Sequence, residues 1–221
     1  MEDSLLFSLR LSVQVATVAT VFIMIAGISI AYFLAMSAFR GKEVLDVFLT
    51  LPLVLPPTVT GYYLIVLFGR NGLIGKYVYE WTGWSIMFTW YAAVLASFVV
   101  ALPLMIKTTR AAIESVDRNL IYASHTLGRN RWETAIRVIL PLSKKGIIAG
   151  AVLSFARAMG EFGATLMLAG NIPGKTNTMP LSIYSFVNNG DWSEANILVI
   201  LLTALSGLFL YTANKFSQRV W

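Results

Sequence analysis

Two charged residues stand inside an otherwise apolar stretch of the sequence. Arg157 and Glu161 are four residues apart, so on an α-helix they share one face and can form an ion pair. At about 1.5 Å of rise per residue, Arg157 lies about 15 Å along a helix that starts at Ile147. Charges near the middle of a membrane are costly unless paired or wetted, and by default they mark functional sites. Two interpretations remain open: a salt bridge that only fixes helix packing, or an arginine that attracts an anion while Glu161 holds it.

Prolines and hydroxyls in an earlier apolar stretch give a second candidate site. Pro56 and Pro57 remove backbone hydrogen bonds and should break a helix, together with Pro52. Irregular backbone at membrane depth is tolerated where it is buried in protein or lines a watery cavity. The prolines therefore either line a path or kink a packed helix. An arginine neutralised by glutamate is a poor anion site, so hydroxyls such as those of Thr58 and Thr60 are alternative contacts for a weakly bound solute.

The sequence contains few residues suited to metal binding, covalent catalysis or ATP binding. The chain has no cysteine, which excludes thiolate metal sites and cysteine nucleophiles, and its one histidine, His125, makes a histidine metal site improbable. The segment 170–176 resembles a phosphate-binding loop, but it has three residues between its glycines where that loop needs four, and it follows no strand. We therefore expect no catalytic residue, no metal, no cofactor and no ATP site in this chain, and an energy source in a separate subunit.

The elements that must hold these residues are membrane helices. Hydrophobic residues make up 57% of the chain and charged residues 13%, about half the usual share in a soluble domain. Because backbone polar groups in lipid must pair within their own segment, apolar stretches long enough to span are expected to be helices. We predict an all-α integral membrane protein with a single domain over 1–221 and about five transmembrane helices, at 11–36, 47–69, 86–106, 147–170 and 195–213.

The distribution of basic residues orients these spans. One side of the predicted membrane, formed by segments 40–46, 107–146 and the tail from 214, carries 12 of the 17 basic residues: Arg40, Lys42, Lys107, Arg110, Arg118, Arg129, Arg131, Arg137, Lys144, Lys145, Lys215 and Arg219. The other side carries four: Arg10, Arg70, Lys76 and Lys175. Basic residues accumulate on the cytoplasmic side, so we predict a multi-pass protein of the cytoplasmic (inner) membrane with its N-terminus outside and its C-terminus cytoplasmic.

The largest predicted cytoplasmic segment, 107–146, contains a partly apolar face formed by Leu120, Ala123, Leu127 and Trp132, beside several arginines. Gly128 permits a turn between two short helices. Such a bent amphipathic element could dock into a groove of a partner or lie on anionic membrane lipid, and the residues alone favour neither. Nothing in the pattern calls for nucleic acid, because the positive-inside distribution already accounts for the net charge of +6.

This segment resembles the EAA loop of bacterial and archaeal ABC importer permeases. Ala-Ser-His-Thr-Leu-Gly at 123–128 and Val-Ile-Leu-Pro at 138–141 keep the glycine and Leu-Pro spacing of that loop. Tyr122 stands where the family usually has glutamate, and Ser124 replaces an alanine. The resemblance implies a type I ABC importer permease-like fold with a coupling helix that docks into an ATPase subunit. It places the coupling contacts at Leu120, Tyr122, Ala123, Ser124, Leu127, Gly128, Arg129, Arg131 and Trp132.

Two further stretches narrow the resemblance. Residues 51–62 look like the second-span motif of molybdate permeases, and residues 155–165 are similar to their penultimate span. The resemblance implies a homodimer with two ATP-binding cassette ATPase subunits and an external substrate-binding protein, importing molybdate. Tungstate or sulfate is the alternative cargo of the same class, and a stand-alone channel or secondary carrier is the alternative of another class. The predicted translocation path comprises Pro56, Pro57, Thr58, Thr60, Arg157 and Glu161.

Overall fold

The computed structural model describes residues 2–218, and every regular element in that range is helical. The helices are α1 (Glu2–Met36), α2 (Lys42–Val54), α3 (Pro57–Phe68), α4 (Gly75–Thr82), α5 (Trp90–Glu114), α6 (Arg118–Thr126), α7 (Arg131–Leu142), α8 (Lys144–Met159), α9 (Gly163–Ala169), α10 (Met179–Asn189) and α11 (Trp192–Gln218). Within α7, Ala135–Ile139 forms a π-helical turn. The predicted all-α fold is thus confirmed, while Arg219 of the basic tail lies outside the described residues.

Three helices are long and apolar enough to cross a membrane on their own: most of α1, the whole of α5, and α11 up to Thr212. Two bent pairs, α2 with α3 and α7 with α8, raise the number of candidate spans to five. Helix α5 begins after Thr89, whose side chain caps it by accepting from Ala92 N, and continues to Glu114. The first part of the predicted cytoplasmic segment 107–146 therefore belongs to this long helix.

The predicted second span is broken at Pro56 and Pro57, as expected, whereas Pro52, which is also expected to break the helix, lies inside α2. Leu55 is extended (ψ 144°), because the residue before a proline is pushed out of the helical region, and Pro57 starts a new helix at a position where its missing N–H costs nothing. The axes of α2 and α3 differ by 117°. Residues 47–69 are therefore two helices meeting at a sharp corner, not a single kinked rod.

The predicted fourth span, 147–170, is also broken, and its prediction as one continuous helix is wrong. Helix α8 ends at Met159 and α9 begins at Gly163. At the break, the carboxylate of Glu161 replaces a backbone acceptor, because its Oε1 accepts a hydrogen bond of 2.8 Å from Ala164 N. This bond satisfies one of the amide groups that a helix start leaves without an intrahelical partner.

Helix α5 is the centre of the bundle, with α1, α8 and α9 packed around it. Gly146, Gly150, Ser154 and Ala158 of α8 form a stripe of small residues, which the spacing in the sequence predicts to allow close helix contact. The structure confirms that contact. A Cβ atom on Gly150 would lie 2.8 Å from Met105 Sδ, and Ser154 Oγ donates to Ala101 O at 3.3 Å.

Helix α2 is attached to α5 by charge. None of its residues is buried within the chain. Asp46 Oδ2 contacts Lys107 Nζ at 2.6 Å, and Asp46 Oδ1 contacts Arg110 Nη1 at 3.0 Å. Arg110 also pairs with Glu114 at 2.8 Å. These ion pairs join the start of α2 to the last turns of α5.

Helix α10 and the loop before it pack against the start of α1 through a buried polar network. The hydroxyls of Ser8 and Ser182 are 2.6 Å apart, and Asn177 Nδ2 donates to Ser8 Oγ at 3.3 Å. Met179 N donates to Ser12 Oγ at 2.7 Å. Helix α9, not a strand, precedes this loop, so the segment that resembles a phosphate-binding loop lacks that loop's structural setting.

Candidate translocation path and coupling surface

The two helix breaks meet inside the bundle, because glycine lets their backbones touch. A Cβ atom on Gly163 would lie 2.9 Å from Pro57 Cβ and 3.2 Å from Thr58 N. One turn further along α3, a Cβ atom on Gly61 would lie 2.9 Å from Ala164 Cα. The start of α3 therefore packs directly on the start of α9. This contact brings the two halves of the predicted path, one around Pro57 and one around Glu161, to the same place.

Arg157 and Glu161 form the predicted ion pair, although not along one continuous helix. Arg157 Nη1 lies 2.7 Å from Glu161 Oε2, across the end of α8. This is a close charge contact without the angles of a directed hydrogen bond. The Glu161 side chain is 1% exposed and the Arg157 side chain 30%. Glu161 is thus committed to contacts within the protein, and Arg157 is the member of the pair that a solute can reach.

The other predicted path residues divide into exposed and buried ones. Pro56 and Thr58 are exposed, and Pro57 is half-buried. Thr60 is 4% exposed, and its Oγ1 has no hydrogen-bond partner among the described residues. Of the two threonines, only Thr58 presents its hydroxyl at the surface of a single chain.

The predicted coupling segment forms a helix-turn-helix of α6 and α7. Asp117 caps α6 by accepting from Asn119 N at 2.9 Å. Asn130 and Glu133 form a reciprocal capping box at the start of α7. Between them Gly128 adopts φ +80°, a conformation that favours glycine, which confirms the turn predicted there.

The exposed apolar residues of this pair lie on two surfaces, where the sequence predicts one. Leu120, Ala123 and Leu127 line one groove with Arg129 and Arg137. Trp132 lies in a different depression, where its neighbours include Arg131 and His125. Trp132 therefore lies outside the groove of Leu120, Ala123 and Leu127, although the sequence predicts one shared face, and α7 contributes residues to both depressions.

Exposure differs widely among the residues of the predicted coupling segment. Leu127 is 80% exposed and Trp132 72% exposed, and Tyr122 is also open to solvent. Ser124, by contrast, is buried, and its Oγ lies 2.9 Å from Thr134 Oγ1. Ser124 therefore joins α6 to α7 and contributes only a small part of the groove that it lines.

Sequence reasoning did not single out Gly61, Gly163 or Asp46. A glycine close to each break was the available signal for the contact between α3 and α9. The tether from Asp46 to Lys107 joins residues 61 positions apart, so no local pattern points to it. Within the described range, no three His, Cys, Asp or Glu side chains come close enough together to hold a metal ion.

The arrangement of broken helices around a long central helix matches solved transporter structures. An inward-facing MetNI methionine ABC transporter superposes with a TM-score of 0.78, at 17% identity, covering 100% of this chain and 98% of that one. A bacterial ABC transporter that imports the acidic polysaccharide alginate gives a TM-score of 0.79, at 14% identity, covering 100% and 81%. At such low identities these matches show the fold alone, which is that of an ABC importer permease.

The sequence family agrees with the fold. Residues 13–220 match the family of the binding-protein-dependent transport system inner membrane component, and this chain belongs to that family. Among its relatives, the molybdenum transport system permease protein ModB of Haemophilus influenzae is 42% identical over 96% of this chain and 93% of its own length. ModB of Escherichia coli K12 is 45% identical over 90% and 88%, and the putative molybdenum transport system permease protein YvgM of Bacillus subtilis is 42% identical over 91% and 88%.

Proposed function

We propose that this chain is the membrane-spanning permease subunit of an ATP-driven importer that carries molybdate, or a closely related oxyanion, across the cytoplasmic membrane. The observation that carries this proposal is the 42 to 45% identity to molybdenum transport permeases over at least nine-tenths of the chain. Tungstate and sulfate are tetrahedral dianions as well, and they remain the alternative cargoes.

Coupling to ATP hydrolysis would run through the helix pair of α6 and α7. We assign docking to the exposed residues Leu120, Tyr122, Ala123, Leu127, Gly128, Arg131 and Trp132 and to the half-buried Arg129, with Ser124 as an internal support. Their amphipathic surface, which contains two depressions, suits insertion into a cleft of a partner. The ATPase is a separate subunit in this proposal, and the permease itself is not an enzyme.

The path would follow the junction of the two helix breaks. Pro56, Thr58 and the guanidinium of Arg157 reach the surface of one chain, so a closed path needs a second wall. A second copy of this chain supplies that wall in a homodimer. Glu161 offsets most of the charge of Arg157, which keeps anion binding weak, as passage through a path requires.

The basic residues fix the orientation in this proposal. The N-terminus and the α10 region face outward, where an external substrate-binding protein delivers the anion. The C-terminus and the α6–α7 pair face the cytoplasm, where the ATPase binds. This orientation places the residues that favour positive-inside topology on the cytoplasmic side.

Uptake of labelled molybdate into vesicles tests the proposal. The vesicles hold this chain, its ATPase and its binding protein, each omitted in turn, with sulfate as competitor. We expect uptake to require ATP and all three components, and to resist excess sulfate. Uptake by this chain alone would identify a channel or secondary carrier. If the complete system transports sulfate but not molybdate, the chain is still an importer subunit, but its cargo is sulfate.

A further inference from the structure

A cavity of about 340 Å³ lies where the ends of α1 and α5 meet α6. Its walls come from residues 35–38 at the end of α1, from the end of α5, and from Arg118, Ile121 and Tyr122 of α6, with Lys42 of α2 also lining it. It is separate from the junction of the helix breaks. Tyr122 is the residue that it shares with the docking surface described above.

One part of the cavity wall is apolar. Ile113, Val116 and Ile121 line it and belong to a buried cluster with Ala31, against which Ala35 packs. Met36 also lines the cavity and is 41% exposed, and Phe33, one turn earlier in α1, is exposed too. Apolar surface therefore runs from the cavity along α1 toward the middle of the bilayer.

Two basic side chains also line the cavity. They are Lys42 and Arg118, and neither forms an ion pair with a side chain that the structure describes. Glu114 lines the cavity as well, but its carboxylate is engaged by Arg110 at 2.8 Å. The hydroxyls of Ser37 and Tyr122 add polar groups. The cavity thus combines two positive charges that have no ion-pair partner with an apolar part of its wall.

We propose that this cavity binds the phosphate headgroup of an anionic phospholipid from the cytoplasmic leaflet. Lys42 and Arg118 contact the phosphate, and an acyl chain follows the exposed side of α1 past Met36. Basic pockets between helices on the cytoplasmic side suit such headgroups. The assignment to this leaflet rests on the orientation given in the proposed function. Because Arg118 is the first residue of α6, the lipid would tie the start of the coupling helix to the membrane.

Native mass spectrometry tests the site. The purified complex of this chain and its ATPase is titrated with phosphatidylglycerol or with phosphatidylcholine, and the lipid that stays bound is measured. The wild type should retain phosphatidylglycerol in preference. Each basic side chain near an anionic lipid contributes roughly a five-fold gain in affinity, so Lys42→Gln with Arg118→Gln should weaken retention roughly 25-fold. The matched control is Arg40→Gln with Lys215→Gln, which removes two basic residues outside the cavity and should leave retention unchanged.

Four results would overturn the proposal. The first two are equal retention of phosphatidylglycerol by the double variant and the wild type, and equal retention of phosphatidylcholine and phosphatidylglycerol by the wild type. The third is displacement of the lipid by inorganic phosphate, which would mean a site for soluble anions. The fourth is loss of the lipid when the ATPase binds, which would mean that the ATPase covers the cavity. Retention needs no transport. Retained lipid without molybdate uptake would therefore refute the cargo and leave the lipid site standing.

Discussion

At the scale of single residues, the ion pair of Arg157 and Glu161 is asymmetric. Removing Arg157 leaves a buried carboxylate without its counter-charge, whereas removing Glu161 leaves a guanidinium that is partly open to its surroundings. An uncompensated buried charge costs more than the loss of the pair itself. The two single substitutions are therefore expected to differ in their effects on stability.

We predict that Arg157→Gln lowers the thermal unfolding midpoint in detergent more than Glu161→Gln does. The glutamine of Glu161→Gln can still accept from Ala164 N, which retains the start of α9. The double variant should be more stable than Arg157→Gln alone, with a coupling of ~1–3 kcal/mol between the two sites. Additive effects of the two substitutions would show that the contact contributes nothing to the fold.

There is no room for a side chain at Gly163, because an added Cβ atom would lie 2.9 Å from Pro57 Cβ. We predict that Gly163→Ala destabilises the protein by ~1–3 kcal/mol, because the added methyl group forces α3 away from α9. Gly207→Ala in α11 is the matched control, because a Cβ atom there meets nothing within 4 Å. It should leave the unfolding midpoint unchanged or raise it slightly. Equal midpoints for the two variants would argue against the close contact of the two breaks.

At the scale of elements, α2 depends on Asp46 for its position, since none of its residues is buried in the chain. We predict that Asp46→Asn broadens the distance distribution between spin labels at Phe48→Cys in α2 and Ala111→Cys in α5, because the ion pairs to Lys107 and Arg110 are lost. Glu43→Gln is the control, since Glu43 has no ion pair among the described residues. An unchanged distribution in Asp46→Asn would show that lipid or a partner chain holds α2.

Two substitutions at Gly128, in the turn between α6 and α7, distinguish the effect of backbone strain from the effect of lost docking. A Cβ atom at Gly128 would meet nothing within 4 Å, so Gly128→Ala costs only the left-handed backbone conformation, ~1–2 kcal/mol. Gly128→Asp adds a carboxylate between the docking residues. We predict that Gly128→Asp abolishes ATP-dependent uptake while the protein stays in the membrane, and that Gly128→Ala keeps most of it. A bulky charged residue at Ala123 should act like Gly128→Asp, and normal uptake by both charged variants would refute the coupling assignment.

Elements were predictable where a local pattern dictates them. The break at Pro56 and Pro57 follows from proline chemistry, and the stripe from Gly146 to Ala158 follows from helical spacing. The break at Gly160 was missed because apolar residues continue on both sides of it, although Gly160 and Gly163, which flank the break, were a local signal for it. The 117° corner and the tether of Asp46 depend on contacts between distant segments, which no window along the chain contains.

At the scale of the whole molecule, the absence of cysteine makes the orientation directly testable. We predict that a single cysteine at Thr126 reacts with a membrane-impermeant maleimide only from the cytoplasmic side, and one at Lys175 only from the outside. Both positions are exposed in the structure. The parent chain, which has no thiol, is the control for background labelling. Reaction of Thr126→Cys from the outside would invert the proposed topology.

The hydrogen bonds between α1 and the α10 region also bear on how the protein is made. A ribosome delivers α1 long before it reaches Asn177. In that interval Ser8 can be satisfied within its own helix, since its Oγ donates to Ser4 O at 3.0 Å, and α1 can enter the bilayer alone. Met179 N reaches Ser12 only after most of the chain has been synthesised. The start of the first helix to be inserted is therefore among the last parts of the bundle to be fixed in place, and a nascent chain that stops before residue 177 leaves that end without its hydrogen bonds to the α10 region.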